Sequence, residues 1–227
     1  MRITYYGHSA FGIATAGKYL IFDPFITPNG LAQTIDINTI PADYVLVSHG
    51  HGDHLADAEA ILNRTGATLL ANYEIVSWYE QKGINKNHPF NHGGKANFDF
   101  GTIKLVNAIH SSTLPDGSNG GNPTGFLVWN DEGSFYFAGD TALTMDMKLI
   151  PMFCPKLNFA ILPIGDNFTM GYEDALIASD FIECDTIIGC HFDTFGYIKI
   201  DHEKAQQAFA EKGKKLLLLA IGESVEL

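Results

Sequence analysis

The chain has 227 residues, 46% of them apolar and 18% charged, with 26 acidic against 14 basic side chains and a net charge of −12. That is chain enough for one domain over residues 1–227 with its own core, and the acidic balance excludes nucleic acid as the expected partner, since phosphate-backbone binding rests on Lys and Arg. Three cysteines (Cys154, Cys184, Cys190), no signal-peptide core after Met1 and no bilayer-length apolar run give the expectation of a cytoplasmic protein with no membrane partner.

Residues 2–6, 11–15 and 18–22 read as a meander of three short strands, broken at Gly7-His8-Ser9 and Gly17 and ended by Asp23-Pro24. After an irregular stretch, the apolar run before Ser48 predicts a buried strand over 44–48. Leu55, Ala58, Ile61 and Leu62 recur at helical spacing and predict a helix over 54–64, stopped at Gly66. A strand at 67–71 and a helix at 73–82 form a second β-α unit, and 85–94 reads as a loop. Strands at 96–100 and 103–109 pair around Gly101, and the Gly-, Ser- and Asn-rich stretch 111–125 is a surface loop. A second hairpin over 126–130 and 134–138 is followed by a helix near 143–150. Then come strand 158–163, helix 172–183, strand 186–190, helix 202–212 and a closing strand at 215–219. Each half is β-rich first and mixed afterwards, which suits an α+β fold of two packed sheets with helices outside.

The chemistry concentrates in Ser48-His49-Gly50-His51-Gly52-Asp53-His54, between a strand's C-terminal end and a helix start, where α/β proteins place ligand sites. His49 and His51 are two apart and project to one side of an extended segment. Asp53 and His54 enter the helical turn and point elsewhere, which suits a second, adjacent ion. Imidazole and carboxylate together suit zinc foremost, with manganese or iron open on ligand type alone. The bland alternative is a polar loop that happens to hold histidines. Three more candidates, His110, Asp140 and His191, each end an apolar strand. Singly, each reads as an ordinary half-buried polar residue. Together with the cluster they supply seven ligands, enough for two ions, and Asp140, alone between the histidine pairs, is the natural bridge.

His-x-His-x-Asp-His at 49–54 with single His110, Asp140 and His191 resembles the metallo-β-lactamase superfamily across the whole chain. The resemblance implies a four-layer αββα sandwich. It puts His49, His51 and His110 on the first metal, Asp53, His54 and His191 on the second, Asp140 between them and Asp23 in support behind. Gly7-His8-Ser9-Ala10-Phe11, Ala108-Ile109-His110-Ser111-Ser112, the run Leu162–Gly171 and His191-Phe192-Asp193-Thr194-Phe195 are similar to a family of small metal-dependent hydrolases. The Gly-His-Ser start is also similar to lactonases of sugar-acid phosphates, and neither likeness fixes an activity. Zinc β-lactamases of the main type carry Cys where Asp140 stands, and oxygen-reducing di-iron relatives usually carry Glu where His51 stands. Hydrolysis is therefore the expected chemistry.

The favoured expectation is a dinuclear hydrolase whose shared hydroxide attacks a small ester, lactone or phosphoester. Asp53 would orient the nucleophile or take its proton. The alternative is a non-catalytic metal-binding or ligand-sensing module of the same fold. His8, Asp166, Asn167 and Thr194 are weighed as pocket-lining or supporting residues, against loop and helix-capping roles. A small-molecule substrate is expected, and assembly of like chains is left open.

Overall fold

Alternation in the apolar strands decides the architecture. In Tyr19-Leu20-Ile21-Phe22, Leu20 and Phe22 face one way and Ile21 the other, yet all three are fully buried. A strand apolar on both faces must be covered on both. The computed structural model, which describes residues 1–227, shows what covers them.

The first sheet is built from β1 (Arg2–Gly7), β2 (Ala10–Thr15), β3 (Lys18–Phe22), β4 (Tyr44–Leu46), β5 (Thr68–Asn72) and β6 (Asn87–Phe90). The second holds β7 (Lys95–Phe98), β8 (Gly101–Asn107), β9 (Thr124–Asn130), β10 (Gly133–Phe137), β11 (Phe159–Pro163), β12 (Thr186–Cys190) and β13 (Lys215–Leu217). A last strand, β14 (Ser224–Glu226), returns to the free edge of β1. Both sheets follow one plan. Antiparallel neighbours β1-β2-β3 lead into parallel β3-β4-β5-β6, and antiparallel β7-β8-β9-β10 lead into parallel β10-β11-β12-β13. Strands β3 and β10 thus hold corresponding places, and the residues that follow them include Asp23 and Asp140.

Between the sheets, Phe11, Leu20, Phe22 and Leu46 meet Phe126, Phe137, Ile161 and Ile188. Outside the first sheet, Ile21, Val45 and Leu69 pack with Ile61, Leu62, Ile75 and Tyr79 of α2 (Ala58–Thr65) and α3 (Tyr73–Glu80). Outside the second, Ala160, Leu162 and Ile187 pack with Ala175, Ala178, Ala205 and Phe209 of α4 (Tyr172–Phe181) and α5 (His202–Glu211). This is the αββα sandwich. The Phe22 and Phe137 rings, 4.8 Å apart, lie at its centre. Phe137→Ala is expected to cost about 3–5 kcal/mol, read as a lower denaturant midpoint.

Four expectations are corrected. The helix over 54–64 is two pieces, α1 (Gly52–Leu55) and α2, because the carboxylate of Asp57 is drawn aside by the Ile26 and Thr27 amides at 2.7 and 2.8 Å. The segment near 143–150 is a 3-10 helix over Met145–Met152, with Pro151 unable to donate an α-helical hydrogen bond. The stretch 85–94 contains the edge strand β6. Strand 215–219 shortens to β13 and does not end the fold, since β14 follows it. No helix is long and apolar enough to cross a membrane.

Candidate metal centre

The donors follow strand ends on one rim of the sandwich: His8 after β1, Asp23 after β3, His49 to His54 after β4, His110 after β8, Asp140 after β10 and His191 after β12. Three of these positions bend sharply, with left-handed φ of 55° at His8, 42° at Asp23 and 55° at His191. Non-glycine residues pay about 1–2 kcal/mol for that conformation, which is tolerated where the surrounding structure fixes it. Gly139 is also left-handed, and a Cβ there would stand 2.8 Å from Ser48 Cβ, so only glycine lets Asp140 close on the His49 segment.

Asp23, fully buried, organises the first layer. Its carboxylate accepts from Ser48 N at 2.7 Å, Ser48 Oγ at 2.6 Å and His54 Nδ1 at 2.8 Å. The Ser48 hydroxyl has one proton and gives it to Asp23, so at 2.9 Å it must accept from His49 Nδ1. Both rings therefore carry hydrogen on Nδ1 and leave Nε2 as a lone-pair donor toward the centre. His49 Nε2 lies 3.0 Å from His51 Nδ1, and with His110 these atoms form one convergent trio. The far nitrogen of His51 faces Ser111 Oγ at 3.2 Å.

A second set joins His8, Asp53, His54 and His191. His8 is buried, and its Nε2 meets Asp53 Oδ2 at 3.1 Å while Nδ1 meets Thr194 Oγ1 at 3.0 Å. A carboxylate only accepts, so Nε2 holds the proton and the Thr194 hydroxyl donates to Nδ1. Burial, against the pull of Asp53, lowers His8 to about 4, which keeps the ring neutral at pH 7.

Asp140 lies between the two sets. Its Oδ2 is 3.9 Å from His49 Nε2, 3.6 Å from His110 Nε2, 3.2 Å from His54 Nε2 and 3.0 Å from His191 Nε2. Burial would raise this carboxyl, but His54 and His191 outweigh it and hold it well below the ordinary range. Burial likewise opposes charge on His54, where Asp140 and Asp23 prevail and push the ring up, so the proton they favour on Nε2 is one that a bound ion would displace. His54 Nε2 and Asp140 Oδ1 are buried with no aligned hydrogen-bond partner. Carboxylates demanding positive charge, and ring nitrogens with fixed and unspent lone pairs, fit divalent ions.

The remaining candidates fall differently. Thr194 reaches the centre only through His8. Asp166 and Asn167 lie exposed in their own left-handed turn, where the Asp166 carboxylate accepts from Asn167 N at 2.7 Å. They hydrogen-bond to none of the donors, nor do they cap α4, whose N-cap is Gly171. Asp193 bonds His202 Nε2 at 2.6 Å rather than a donor. Sequence reasoning passed over Ser48, Asp57, Ser112, which accepts from Gly50 N at 3.0 Å, and Thr141, which accepts from Ile109 N at 3.0 Å. Only Ser48, beside His49, carried a signal that could have flagged it.

Two convergent donor sets on the strand-end rim of an αββα sandwich define a metallo-β-lactamase-type centre. The profile described as Beta-lactamase superfamily domain matches residues 2–191, and the chain belongs to that superfamily. Within it, the chain is one of the UPF0173 metal-dependent hydrolases. It is 60% identical over 227 residues to the UPF0173 metal-dependent hydrolase of Flavobacterium johnsoniae, covering 100% of both chains. It is 39% identical over 234 residues to YtkL of Bacillus subtilis, again covering 100% of both. Among solved structures it is similar to Igni18, a novel metallo hydrolase from Ignicoccus hospitalis, with a TM-score of 0.90 at 34% identity over 99% of this chain and 97% of that one. The isothiocyanate hydrolase from Delia radicum gut bacteria shares the fold, with a TM-score of 0.79 at 20% identity over 100% and 99% of the two chains.

Proposed function

We propose that this metal-dependent hydrolase holds two divalent ions, zinc foremost, and cleaves a small ester, lactone or phosphoester in the cytoplasm. His49, His51 and His110 would hold one ion, Asp53, His54 and His191 the other, and Asp140 both. The observation that carries the reading is the place of Asp140 Oδ2, within 3.0–3.9 Å of imidazoles from both sets.

Bound ions supply a water of lowered pKa and a Lewis acid for the oxygen under attack. The chain's own residues do the rest. His8 fixes Asp53 Oδ2, leaving Oδ1 to orient the attacking water and take its proton. The water oxygen bonds to the carbonyl carbon or phosphorus, the bond to the leaving oxygen breaks, and Asp53 returns the proton to that oxygen. Burial would raise the Asp53 carboxyl, but the His8 hydrogen bond and His54 hold it below the usual range, so it is an ionised acceptor at neutral pH.

Purified protein is expected to carry two ions per chain by elemental analysis and to turn over one class in a panel of esters, thioesters, lactones and phosphodiesters. Chelation should lower the melting temperature, since ions present at a thousandfold over Kd contribute about 4 kcal/mol each. Absence of ions after reconstitution would refute the reading. Two ions without turnover would favour the binding module.

His8→Ala should weaken the ion on Asp53, His54 and His191 about tenfold to a hundredfold, as supporting residues of metal ligands commonly do. Thr194→Val should follow in the same direction and Thr194→Ser should restore affinity, all read by competition with a chromophoric chelator. Equal affinity in His8→Ala would end the positioning role.

A further inference from the structure

We infer that the substrate is uncharged around the bond cleaved and carries an apolar substituent, which lies on a rim of Phe168, Phe195, Tyr197 and Ile109. The inference rests on the hydrolase reading above and narrows its substrate class.

Charge gives the first argument. The segments that carry or flank the donors are 7–9, 23–27, 48–54, 108–125, 139–145, 164–171 and 190–198, and none contains a Lys or Arg. All 14 basic residues lie elsewhere in the chain. Many sites for phosphate esters add such cations, as forks or point charges, to the metal ions that already meet the non-bridging oxygens. The ions would offset the charge of Asp53 and Asp140, and around them the chain adds only carboxylates, Asp166 and Asp193, so a charge left on the substrate meets no cationic side chain in these segments.

The second argument is the distribution of exposed apolar side chains. Phe168 is 51% exposed, Tyr197 79%, Phe195 38% and Ile109 50%. Scattered singly, such residues would need no explanation, but these lie in the segments that carry or flank the donors. Phe195 and Tyr197 follow His191 in the loop after β12, Phe168 sits in the loop after β11, and Ile109 immediately precedes His110. The Phe195 ring centroid is 5.2 Å from that of His8, which bonds Asp53, and 6.4 Å from that of Phe25. Tyr197 meets Phe168 edge to face at 6.3 Å. Apolar surface therefore runs from beside the donors out to solvent, the usual lining of a small-molecule site in which few polar groups set orientation.

The test needs no turnover. Straight-chain alkyl hydroxamic acids, neutral in solution and able to chelate, are titrated calorimetrically into ion-loaded protein, from acetohydroxamic to octanohydroxamic acid. Affinity is expected to rise about fourfold per methylene until the rim is covered. In Phe168→Ala, Phe195→Ala and Tyr197→Ala the slope should flatten. Benzohydroxamic acid should bind more tightly than phenyl phosphate. A flat wild-type series, or tighter phenyl phosphate, overturns the inference. So does a flat series with self-association abolished by Phe168→Ala, which would assign the rim to contact between copies. Failure of every hydroxamate to bind protein shown to hold two ions overturns this inference and leaves the hydrolase reading to the turnover panel.

Discussion

Asp140→Ala is expected to leave a protein that holds at most one ion and has lost about two to three orders of magnitude in kcat/KM, or more. Asp140 is 2% exposed and its Oδ2 faces four imidazoles, whereas the Asp53 carboxylate comes within 4.0 Å of only His54 and His191 among them, so no other carboxylate reaches both sets at that distance. Without ions, the variant also leaves His54 with one carboxylate fewer, and removing one member of a buried charged set costs about 3–5 kcal/mol. Asp140→Asn should reproduce both effects, because it keeps the shape and removes the charge, which assigns them to the charge and not to a cavity. Elemental analysis beside a turnover assay decides the matter. Two ions and undiminished turnover in Asp140→Ala would refute the bridging role.

Asp23→Asn should weaken both ions at once, by about tenfold to a hundredfold each, although Asp23 lies behind the ligands. Its oxygens accept from Ser48 N, Ser48 Oγ and His54 Nδ1. An amide would turn a donor toward at least one of these donors. The Ser48 hydroxyl would then rotate, and His49 would lose the acceptor that keeps its Nε2 bare. Competition with a chromophoric chelator reads the loss, and the melting temperature should fall as well, since a buried group would be left unpaired. A variant with unchanged affinity at both positions would show that the tautomers are fixed by something other than Asp23.

What the sequence disclosed, and what it concealed, follows from the range of the interactions. His49, His51, Asp53 and His54 stand on one short turn, so their convergence could be read locally. His110, Asp140 and His191 could be read because each closes an apolar run, His191 directly after β12 and His110 and Asp140 three residues past the ends of β8 and β10. The bonds behind them could not. His8 reaches Asp53 across 45 positions and Thr194 across 186, and no local pattern encodes such pairing. The same holds for β14, which pairs with β1 from the other end of the chain. Strand β6 was missed because Asn87-His88-Pro89-Phe90 shows no alternation and has Pro89, which an edge strand tolerates and a central one does not. The break between α1 and α2 was missed because Asp57 fits a helix by spacing, while its carboxylate is claimed by a segment thirty residues away.

The donors are drawn from residue 8 to residue 191 and from both sheets, and this has a kinetic consequence. Closing such long loops is slow, and a centre of this kind is complete only after the sheets have docked. Interactions absent from the folding transition state act on the unfolding rate alone. Added ions should therefore slow escape from the native state while leaving the refolding rate nearly untouched, except so far as the local His49–His54 turn captures an ion in the unfolded chain and reduces the net gain. Bound ions would then secure a structure whose assembly does not wait for them, and their loss would shorten its lifetime more than it would hinder its formation.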